Sequence, residues 1–517
     1  MNLRAISFGA VLLLPCFWSA RAATVYVDVN SANPTPPYSD ITTAAVTIQD
    51  AVDAAASGDL ILVNDGYYQD GFRVTKGSGF PANNETNRVG VSKPVTIQSI
   101  NGPAAAYISG SGIYRCVYLT NGAALSGFTL TSGAAGYVTT GFGGTHTTVA
   151  ADGGAVTGTL GGSGVVSNCV LSGNSATASG GGAYEVELIN CTLTSNSAKN
   201  GGGAGAATLL NCIVTGNTAI PVTAGGPFPT TSGGDGGGIY AGSAVNCVVA
   251  NNNGYQGGGT WGVVKLNSCI IANNSATSYG GVSPNTSSSI AFSAVTNCII
   301  YFNSANTYYN YSGLPYGNLF ISGSCTLPLP SSGRSNITNP PTFVSFGSDY
   351  HPAPDSPVIN AGNNAWVTNS TDLDGNPRIV GGTVDMGAYE YQTPTSVLSF
   401  AWLENYGLPT DGTADFVDTD GDGMNNWQEW IAGTDPTNAA SLLTMMKAAV
   451  GTNFIGVKVT WQSVNTRTYY LQRSTNLFAS PAFTGITSNL LGAAGATTFT
   501  DTTATNGGPY FYRVGVQ

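Results

Sequence analysis

The strongest constraint in this sequence is a repeat of 21–22 residues that is marked by cysteine. Seven cysteines are separated by 22, 21, 35, 22, 29 and 27 residues: Cys169, Cys191, Cys212, Cys247, Cys269, Cys298 and Cys325. An asparagine stands five residues after each of the first six: Asn174, Asn196, Asn217, Asn252, Asn274 and Asn303. Such a period, with insertions in some repeats, predicts a solenoid in which each repeat forms one coil.

The pattern inside each repeat is that of strands. Each cysteine and the residue two positions later are apolar, as in Cys169 and Leu171, whereas the residue between them varies from Val170 to Thr192. An alternation with period two indicates a strand with one inward face. Asparagine tolerates unusual backbone angles at a corner, so we expect asparagines to form a ladder between coils. One coil cannot bury its own apolar face, and the sequence therefore predicts a stacked β-solenoid.

Charge is scarce in this chain. Charged residues make up 8% of the sequence, glycine contributes 70 of the 517 residues, and the net charge is −11. An acidic chain lacks the basic face of a nucleic-acid binder, so no nucleic-acid partner is expected. Only seven charged residues lie between positions 101 and 330: Arg115, Asp152, Glu185, Glu187, Lys199, Asp235 and Lys265. This shortage favours binding or a structural role over catalysis.

Residues 1–22 are typical of a signal peptide. Arg4 begins the segment, an apolar run follows over 5–14, and Ala20-Arg21-Ala22 offers a small-residue cleavage site. No later stretch approaches the roughly 18 apolar residues of a membrane helix. We therefore expect a secreted or cell-surface monomer without a membrane span.

The repeat block resembles right-handed parallel β-helices of the pectate-lyase-like superfamily. The stretch 46–52 is amphipathic and predicts a helix that caps the first coil, while 356–362, 372–378 and 384–390 resemble the closing segment called a choice-of-anchor Q domain. The resemblance implies one right-handed β-helix domain over 23–392. It also implies an extracellular polysaccharide or a cell-surface component as partner, although this fold hosts lyases, hydrolases, adhesins and inert scaffolds.

The cysteine column allows two states. Residues stacked on successive coils lie about 4.8 Å apart, whereas a disulfide needs Cβ atoms about 3.5–4.5 Å apart. Bridging neighbours in the column would therefore strain the stack. Buried free thiols are the preferred interpretation, and disulfides, which are common in exported proteins, are the alternative.

Glu185 and Glu187 are the best catalytic candidates in the solenoid. On a single strand their carboxylates would point outward, about 6.5–7 Å apart, within the range of glycosidase pairs. Asp235 is a third candidate on the same surface, and a solvated face with a few charges is the alternative interpretation.

The same alternation predicts that Tyr184 points inward, which leaves loop tyrosines as freer candidates for sugar contact: Tyr255, Tyr279, Tyr308, Tyr309 and Tyr311. The preferred hypothesis is a binding, adhesive or structural protein; the alternative is a polysaccharide lyase or glycoside hydrolase.

Residues 418–429 match the calcium-loop pattern D-x-[DN]-x-[DN]-G-x5-E. The expected Ca2+ ligands are Asp418, Asp420, Asp422, the backbone of Met424, Asn426 and Glu429. An acidic turn without an ion is the alternative. The loop resembles those of dockerin and thrombospondin type-3 modules, which implies a structural Ca2+ in a helical connector over 393–440.

Residues 441–517 alternate apolar and polar side chains between turn residues, as in 456–461, 469–473 and 510–514. This pattern predicts a small antiparallel β-sandwich. Together with the calcium loop, it resembles a C-terminal module of secreted proteins from environmental bacteria. Such reuse implies attachment, sorting or spacing.

Overall fold

The computed structural model describes residues 22–517 except 77–83, 137, 143–144, 160, 162–163, 225–229, 264, 285–291, 312–317, 451–454 and 506. The predicted signal peptide, apart from its last position, lies outside this range. The described chain is almost entirely β. Its α-helices are Ile48–Ala54, Phe400–Asn405 and Asn426–Ala432, and its 3-10 helices are Ile41–Thr43 and Asn364–Trp366.

Four long sheets run along the solenoid, and each coil contributes a short strand to several of them. Sheet A contains Thr24–Val27, Leu60–Val63, Thr96–Ser99, Ala124–Ser126, Val165–Ser167, Glu187–Ile189, Thr208–Leu210, Ser243–Val245, Lys265–Asn267, Phe292–Thr296 and Asn318–Ser322. Sheet B contains Gly66–Tyr68, Ala106–Ser109, Thr129–Thr131, Val170–Ser172, Thr192–Thr194, Ile213–Thr215, Val248–Ala250, Ile270–Ala272, Ile299–Tyr301 and Cys325–Thr326. Sheet C contains Arg73–Lys76, Asn84–Val91, Arg115–Leu119, Val156–Thr157, Ala183–Tyr184, Ala204–Gly205, Ile239–Tyr240, Thr260–Trp261 and Val282–Ser283. Sheet D contains Ala134–Ala135, Ser175–Ser179, Ser197–Asn200, Thr218–Ala219, Asn253–Gln256 and Ser275–Ser278.

Successive coils pair in parallel and in register. Glu187 pairs with Thr208, Thr208 with Ser243, and Ser243 with Lys265, as counting back from the cysteines predicts. Parallel strands joined by crossovers wind right-handed in nearly all proteins. The prediction of a right-handed parallel β-helix is confirmed.

Two asparagine columns perform different tasks. The asparagines that precede cysteine, such as Asn168 (φ 50°) and Asn190 (φ 53°), adopt left-handed backbone angles at a corner. Those five residues after cysteine are buried and form the ladder: the amide nitrogen of Asn174 donates to Asn196 at 2.9 Å, and that of Asn196 donates to Asn217 at 2.9 Å. The predicted ladder is confirmed. It is continuous in the second column, from Asn174 to Asn303, and partial in the first column, where Asn246 donates to Asn211 at 2.9 Å and Asn190 donates to Asn168 at 3.4 Å.

The cysteines line the core as free thiols. All eight in the described residues are buried and unbridged. Those from Cys169 to Cys298 form the predicted column, but Ser324 takes the last place in it, where its Oγ accepts the N–H of Cys298 at 3.0 Å. Cys325 lies one residue later, on the outward side of sheet B against the closing segment. The backbone N–H of Cys191 donates to the Sγ of Cys212 at 3.4 Å, and the N–H of Cys212 donates to the Sγ of Cys247 at 3.3 Å. This agrees with the preferred interpretation of the sequence.

The N-terminal helix Ile48–Ala54 begins at Thr47, whose side chain accepts the N–H of Asp50. Its buried residues Ile48, Ala51 and Val52 join the main core. The helix therefore packs on the first coil and covers apolar surface on which no preceding coil is stacked.

The closing segment covers a side of the solenoid. Outward residues of sheet B, including Val248, Ile270 and Ile299, are buried against Val358, Met386, Ala388 and others of 343–389. The sequence pattern predicts an outward, solvated position for Ile299, and its burial shows that the closing segment lies across this face. The hairpin Phe343–Ser345 with Asp349–Pro352 belongs to this segment.

Two further hairpins leave the corner that precedes sheet C: Val138–Phe142 with Thr145–Val149, and Val222–Ala224 with Thr230–Ser232. The C-terminal part forms two antiparallel three-stranded sheets. One contains Met445–Val450, Val457–Ser463 and Gly495–Asp501, and the other contains Thr468–Ser474, Thr484–Leu491 and Phe511–Val516. Trp461, Tyr469 and Leu471 are the centre of their shared core.

Candidate functional site

The outer side of sheet C carries a column of aromatic residues. In-register pairing aligns Tyr118, Thr157, Tyr184, Gly205, Tyr240, Trp261 and Ser283. The neighbouring inward positions, such as Ala183 and Ile239, are fully buried, so the column points outward. The prediction that Tyr184 points inward is therefore wrong: its side chain is half-buried on the surface.

The wrong prediction for Tyr184 has a local cause. Glu185 adopts a left-handed backbone angle (φ 51°) and forms the corner between sheets C and A. The strand Ala183–Tyr184 ends before this corner and Glu187–Ile189 begins after it. An alternation counted through the corner therefore does not apply, and Glu185 and Glu187 do not share a strand as the sequence interpretation assumed.

Four of the aromatic rings form two stacked pairs along the solenoid. Tyr240 and Trp261 are stacked with ring centroids 5.1 Å apart and planes 5° from parallel. In the next two coils the ring comes from the corner instead: Tyr279 (φ 61°) and Tyr308 (φ 56°) occupy the position that Gly257 holds in the coil of Trp261. Their rings are stacked at 5.4 Å. We call these residues the aromatic face: Tyr118, Tyr184, Tyr240, Trp261, Tyr279 and Tyr308.

A glycine makes room for one ring of this face. A Cβ at Gly205 would lie 3.0 Å from the Cδ2 of Tyr184. This distance is shorter than an ordinary carbon contact. Glycine at position 205 therefore allows the ring of Tyr184 to lie against the backbone of the next coil.

Three carboxyl groups border the aromatic face. Burial raises the pKa of Asp152, and burial together with the charge of Asp152 raises the pKa of Glu185. Burial also raises the pKa of Asp235, although Lys199 partly opposes the shift. The charges of Asp235 and Asp152 add to burial in raising the pKa of Tyr240. The carboxyls and rings therefore form one electrostatically coupled group, and perturbed pKa values of this kind are common at functional sites.

The hydrogen bonding of these carboxyls is incomplete. Asp152 accepts the backbone N–H of Ser179 at 2.8 Å through one oxygen. The Oε2 atom of Glu185 is buried and has no hydrogen-bond partner. A buried acceptor without a donor costs free energy, which a ligand hydroxyl could recover.

The predicted candidates are thus separated by the fold. Glu185 and Asp235 border the aromatic face, whereas Glu187 begins a strand of sheet A and aligns there with Thr208 and Lys265. Sequence reasoning missed Asp152, which precedes the glycine corner Gly153-Gly154. Its position matches that of Asp235 before Gly236-Gly237, and this shared acidic-glycine pattern is the signal that could have identified it.

The calcium loop lies in the connector. One carboxylate oxygen from each of Asp418, Asp420 and Asp422 lies within 4.8 Å of the others. Asp418 accepts the N–H groups of Gly421 and Gly423, at 2.8 and 2.9 Å. These hydrogen bonds hold the loop in a turn around the Asp418 carboxylate.

The donor set fits Ca2+. Asp420 Oδ2, Asp422 Oδ2 and Glu429 Oε2 are buried without hydrogen-bond partners. Burial and the charges of Asp420, Asp422 and Asp418 raise the pKa of Glu429 to about 7. Oxygen atoms that repel one another and lack donors are suited to a hard cation such as Ca2+.

Asn426 is engaged within the protein. Its Oδ1 accepts the Thr419 hydroxyl at 2.9 Å, and its Nδ2 donates to the carbonyl of Ala414 at 2.8 Å. The Met424 N–H donates to Asp422 at 2.7 Å. Ligation by Asn426 and by the Met424 carbonyl stays a prediction.

Comparisons with known proteins find one family match and several similar structures. Residues 418–439 match the bacterial TSP3 repeat family, and no curated protein matches the chain. Among solved structures, pectate lyase Pel9A is similar at 16% identity and a TM-score of 0.41, covering 71% of this chain and 96% of that chain. A rhamnogalacturonan lyase is similar at 12% identity and a TM-score of 0.39, covering 75% of this chain and all of that chain. A surface adhesin of Streptococcus pneumoniae, PfbA, is similar at 15% identity and a TM-score of 0.22, covering 56% of this chain and 74% of that chain.

The assignment of the fold rests on the strand registers of this chain. Among the described residues, no helix has the length and hydrophobicity needed to cross a membrane. The chain therefore contains a parallel β-helix, and residues 418–439, which follow it, are similar to the bacterial TSP3 repeat.

Proposed function

We propose that this protein binds extracellular polysaccharide through the aromatic face. The observation that carries the proposal is the outward column of stacked rings bordered by Asp152, Glu185 and Asp235. Aromatic rings supply large, rigid contact area at low entropic cost, and carboxylates accept hydrogen bonds from sugar hydroxyls. Few other charges lie along this part of the chain to suggest a different ligand.

Affinity electrophoresis tests this proposal. The mature protein is run in native gels that contain soluble polysaccharides, beside the double variant Tyr240→Ala/Trp261→Ala. We expect retardation of the wild type by at least one glycan and its loss in the variant. Tyr67→Ala/Tyr107→Ala is the matched control, because these rings are also stacked, at 6.0 Å, but on sheet B. Equal loss in both variants, or no retardation of the wild type, would refute binding by this face.

Cleavage of the bound glycan is the second candidate function. The pKa values of Asp152 and Glu185 are both raised, and a raised pKa suits a carboxyl group that donates a proton to a leaving group. Incubation with a glycan panel, with detection of new reducing ends and of unsaturated uronate products, tests for hydrolase and lyase activity. Activity that is lost in Glu185→Gln and kept in Glu187→Gln would establish the enzyme. Loss in Glu187→Gln instead would support the carboxyl pair expected from sequence.

The remaining sequence predictions belong to the same proposal. We infer that the protein is exported after cleavage near Ala22, and that its domains span 23–392, 393–440 and 441–517. Asp418, Asp420, Asp422, Met424, Asn426 and Glu429 would hold a structural Ca2+. The choice-of-anchor Q and dockerin resemblances, and the C-terminal module of environmental bacteria, support attachment to a cell surface as the setting for glycan binding.

A further inference from the structure

We infer that the aromatic face selects neutral polysaccharide, with the glycan chain lying along the solenoid axis, and excludes polymers of uronic acids. This inference rests on the proposed function, because it names the class of glycan that the same face binds. Three observations carry it: the sign of the bordering charges, the unpaired oxygen of Glu185 and the length of the aromatic face.

The charges bordering the face are predominantly negative. Asp152, Glu185 and Asp235 lie beside the rings, and Lys199 is directed toward Asp235, whose pKa it affects. Arg115 lies near Tyr118, but it is buried and ion-paired with Glu85. A uronate polymer would bring carboxylates against these carboxylates, and such like-charge contacts are unfavourable in an interface.

The unpaired acceptor favours a ligand that donates. Oε2 of Glu185 is buried without a partner, so binding gains most from a ligand hydroxyl placed there. Neutral sugars carry hydroxyl groups on most ring carbons. A uronate unit keeps its ring hydroxyls, but its ionised carboxylate replaces the C6 hydroxyl and accepts hydrogen bonds only, so it offers one donor fewer to this oxygen.

The face has the form of a long strip. Tyr184 and Tyr308 are separated by five coil steps, which corresponds to about 24 Å along the axis at the spacing of paired strands. The hairpins Val138–Phe142/Thr145–Val149 and Val222–Ala224/Thr230–Ser232 leave the corner just before Asp152 and Asp235. The coils of Tyr184 and Gly205 lie between the two insertions. The strip therefore suits several sugar units in line.

The experiment compares neutral and acidic polymers in native gels: galactomannan and xyloglucan against polygalacturonate and alginate, at low salt and at physiological ionic strength. We expect retardation on a neutral polymer, with binding weakened about tenfold in Tyr240→Ala/Trp261→Ala. We expect none on the acidic polymers. Removal of negative charge in Asp152→Asn/Asp235→Asn should permit retention by polygalacturonate, because the like-charge contacts are then absent.

Two outcomes overturn the inference, and they differ from each other. In the first outcome, an acidic polymer retains the protein as strongly as the neutral ones or more strongly, and this retention depends on Tyr240 and Trp261. That result refutes the choice of neutral glycan but leaves glycan binding intact. Absence of retention on every polymer refutes both. Circular dichroism of each variant shows whether it has kept the β-helix, and Tyr67→Ala/Tyr107→Ala controls for the loss of a ring pair.

Discussion

Asparagine serves this solenoid at two positions through two different properties. At the corner before each cysteine it tolerates a left-handed backbone, as at Asn190 with φ 53°. In the ladder it contributes an amide that both donates and accepts inside the core. The Oδ1 of Asn217 accepts the backbone N–H of Asn196 at 3.0 Å and its side-chain amide at 2.9 Å. One missing ladder residue therefore leaves two buried donors of its neighbour without a partner.

Asn217→Ala tests the ladder. Each buried donor that loses its partner costs about 1–3 kcal/mol, so we expect the free energy of unfolding to fall by roughly 2–4 kcal/mol. Chemical denaturation followed by circular dichroism measures this change. Asn190→Gly is the matched control, because glycine keeps the left-handed corner and the Asn190 side chain is exposed. A loss of stability in the control as large as in Asn217→Ala would contradict the distinction between the columns.

The calcium loop and the helix after it act as one element between the solenoid and the C-terminal sheets. The helix Asn426–Ala432 begins with a capping box formed by Asn425 and Gln428 and ends at Gly433 in a left-handed conformation. Arg467 of the C-terminal part donates to the carbonyls of Trp430 and Ile431. The end of this helix therefore connects the loop to the C-terminal sheets, and we expect ordering of the loop to stabilise that contact.

Chelation should weaken this element. Removing Ca2+ leaves Asp418, Asp420, Asp422 and Glu429 to repel one another, so we expect EDTA to lower the melting temperature of the wild type. Asp420→Ala should melt at the lower temperature with and without Ca2+. Asp411→Ala, which removes an exposed carboxylate from the same connector, should respond to EDTA as the wild type does. Differential scanning fluorimetry gives all three values, and a wild type insensitive to EDTA would argue for the acidic turn without an ion.

At the level of the complete fold, the closing segment contacts neighbouring coils along one face of the solenoid. Asn246 and Asn267, which belong to directly paired coils, donate to the carbonyls of Thr371 and Trp366 at 3.5 and 2.9 Å. Inside the segment, Arg378 is buried and pairs with Glu390 at 2.8 Å. Asp385 and Asp372 are buried nearby. One arginine thus faces several carboxyl groups in a dry environment.

This cluster predicts a dependence of stability on pH. Burial raises the pKa of Asp385 to about 7, and burial with the charge of Asp385 raises that of Glu390 to about 8. Both groups titrate at about 4 in an unfolded chain. A raised folded-state pKa contributes stability that is complete below about pH 4 and is lost as the pH rises through about 7 to 8.

We therefore expect the melting temperature to fall between pH 5 and pH 9. Glu390→Gln should reduce the slope of this fall, because it removes one of the two titrating carboxyls. Asp355→Asn is the control, since Asp355 is an exposed carboxylate of the same segment. Thermal melts across the pH range measure the slope, and a stability that rises with pH would contradict the assignment.

The solenoid, its register and the position of the calcium loop could be predicted from local sequence rules. Cysteine and asparagine recur once per coil, alternate residues face inward, and the six predicted calcium ligands all lie within 418–429. Predictions failed where a corner resets the alternation, as at Glu185, because a single left-handed residue changes which face the next side chain reaches.

Apart from the asparagine ladder, contacts between side chains of different coils could not be predicted from the sequence. The stacking of Tyr240 on Trp261, the gathering of Asp152, Glu185 and Asp235 around them, and the burial of Ile299 under the closing segment depend on pairings between residues that are far apart in sequence. Their side chains come together because parallel strands place equivalent positions about 4.8 Å apart. The insertions between coils hide that equivalence in the linear sequence.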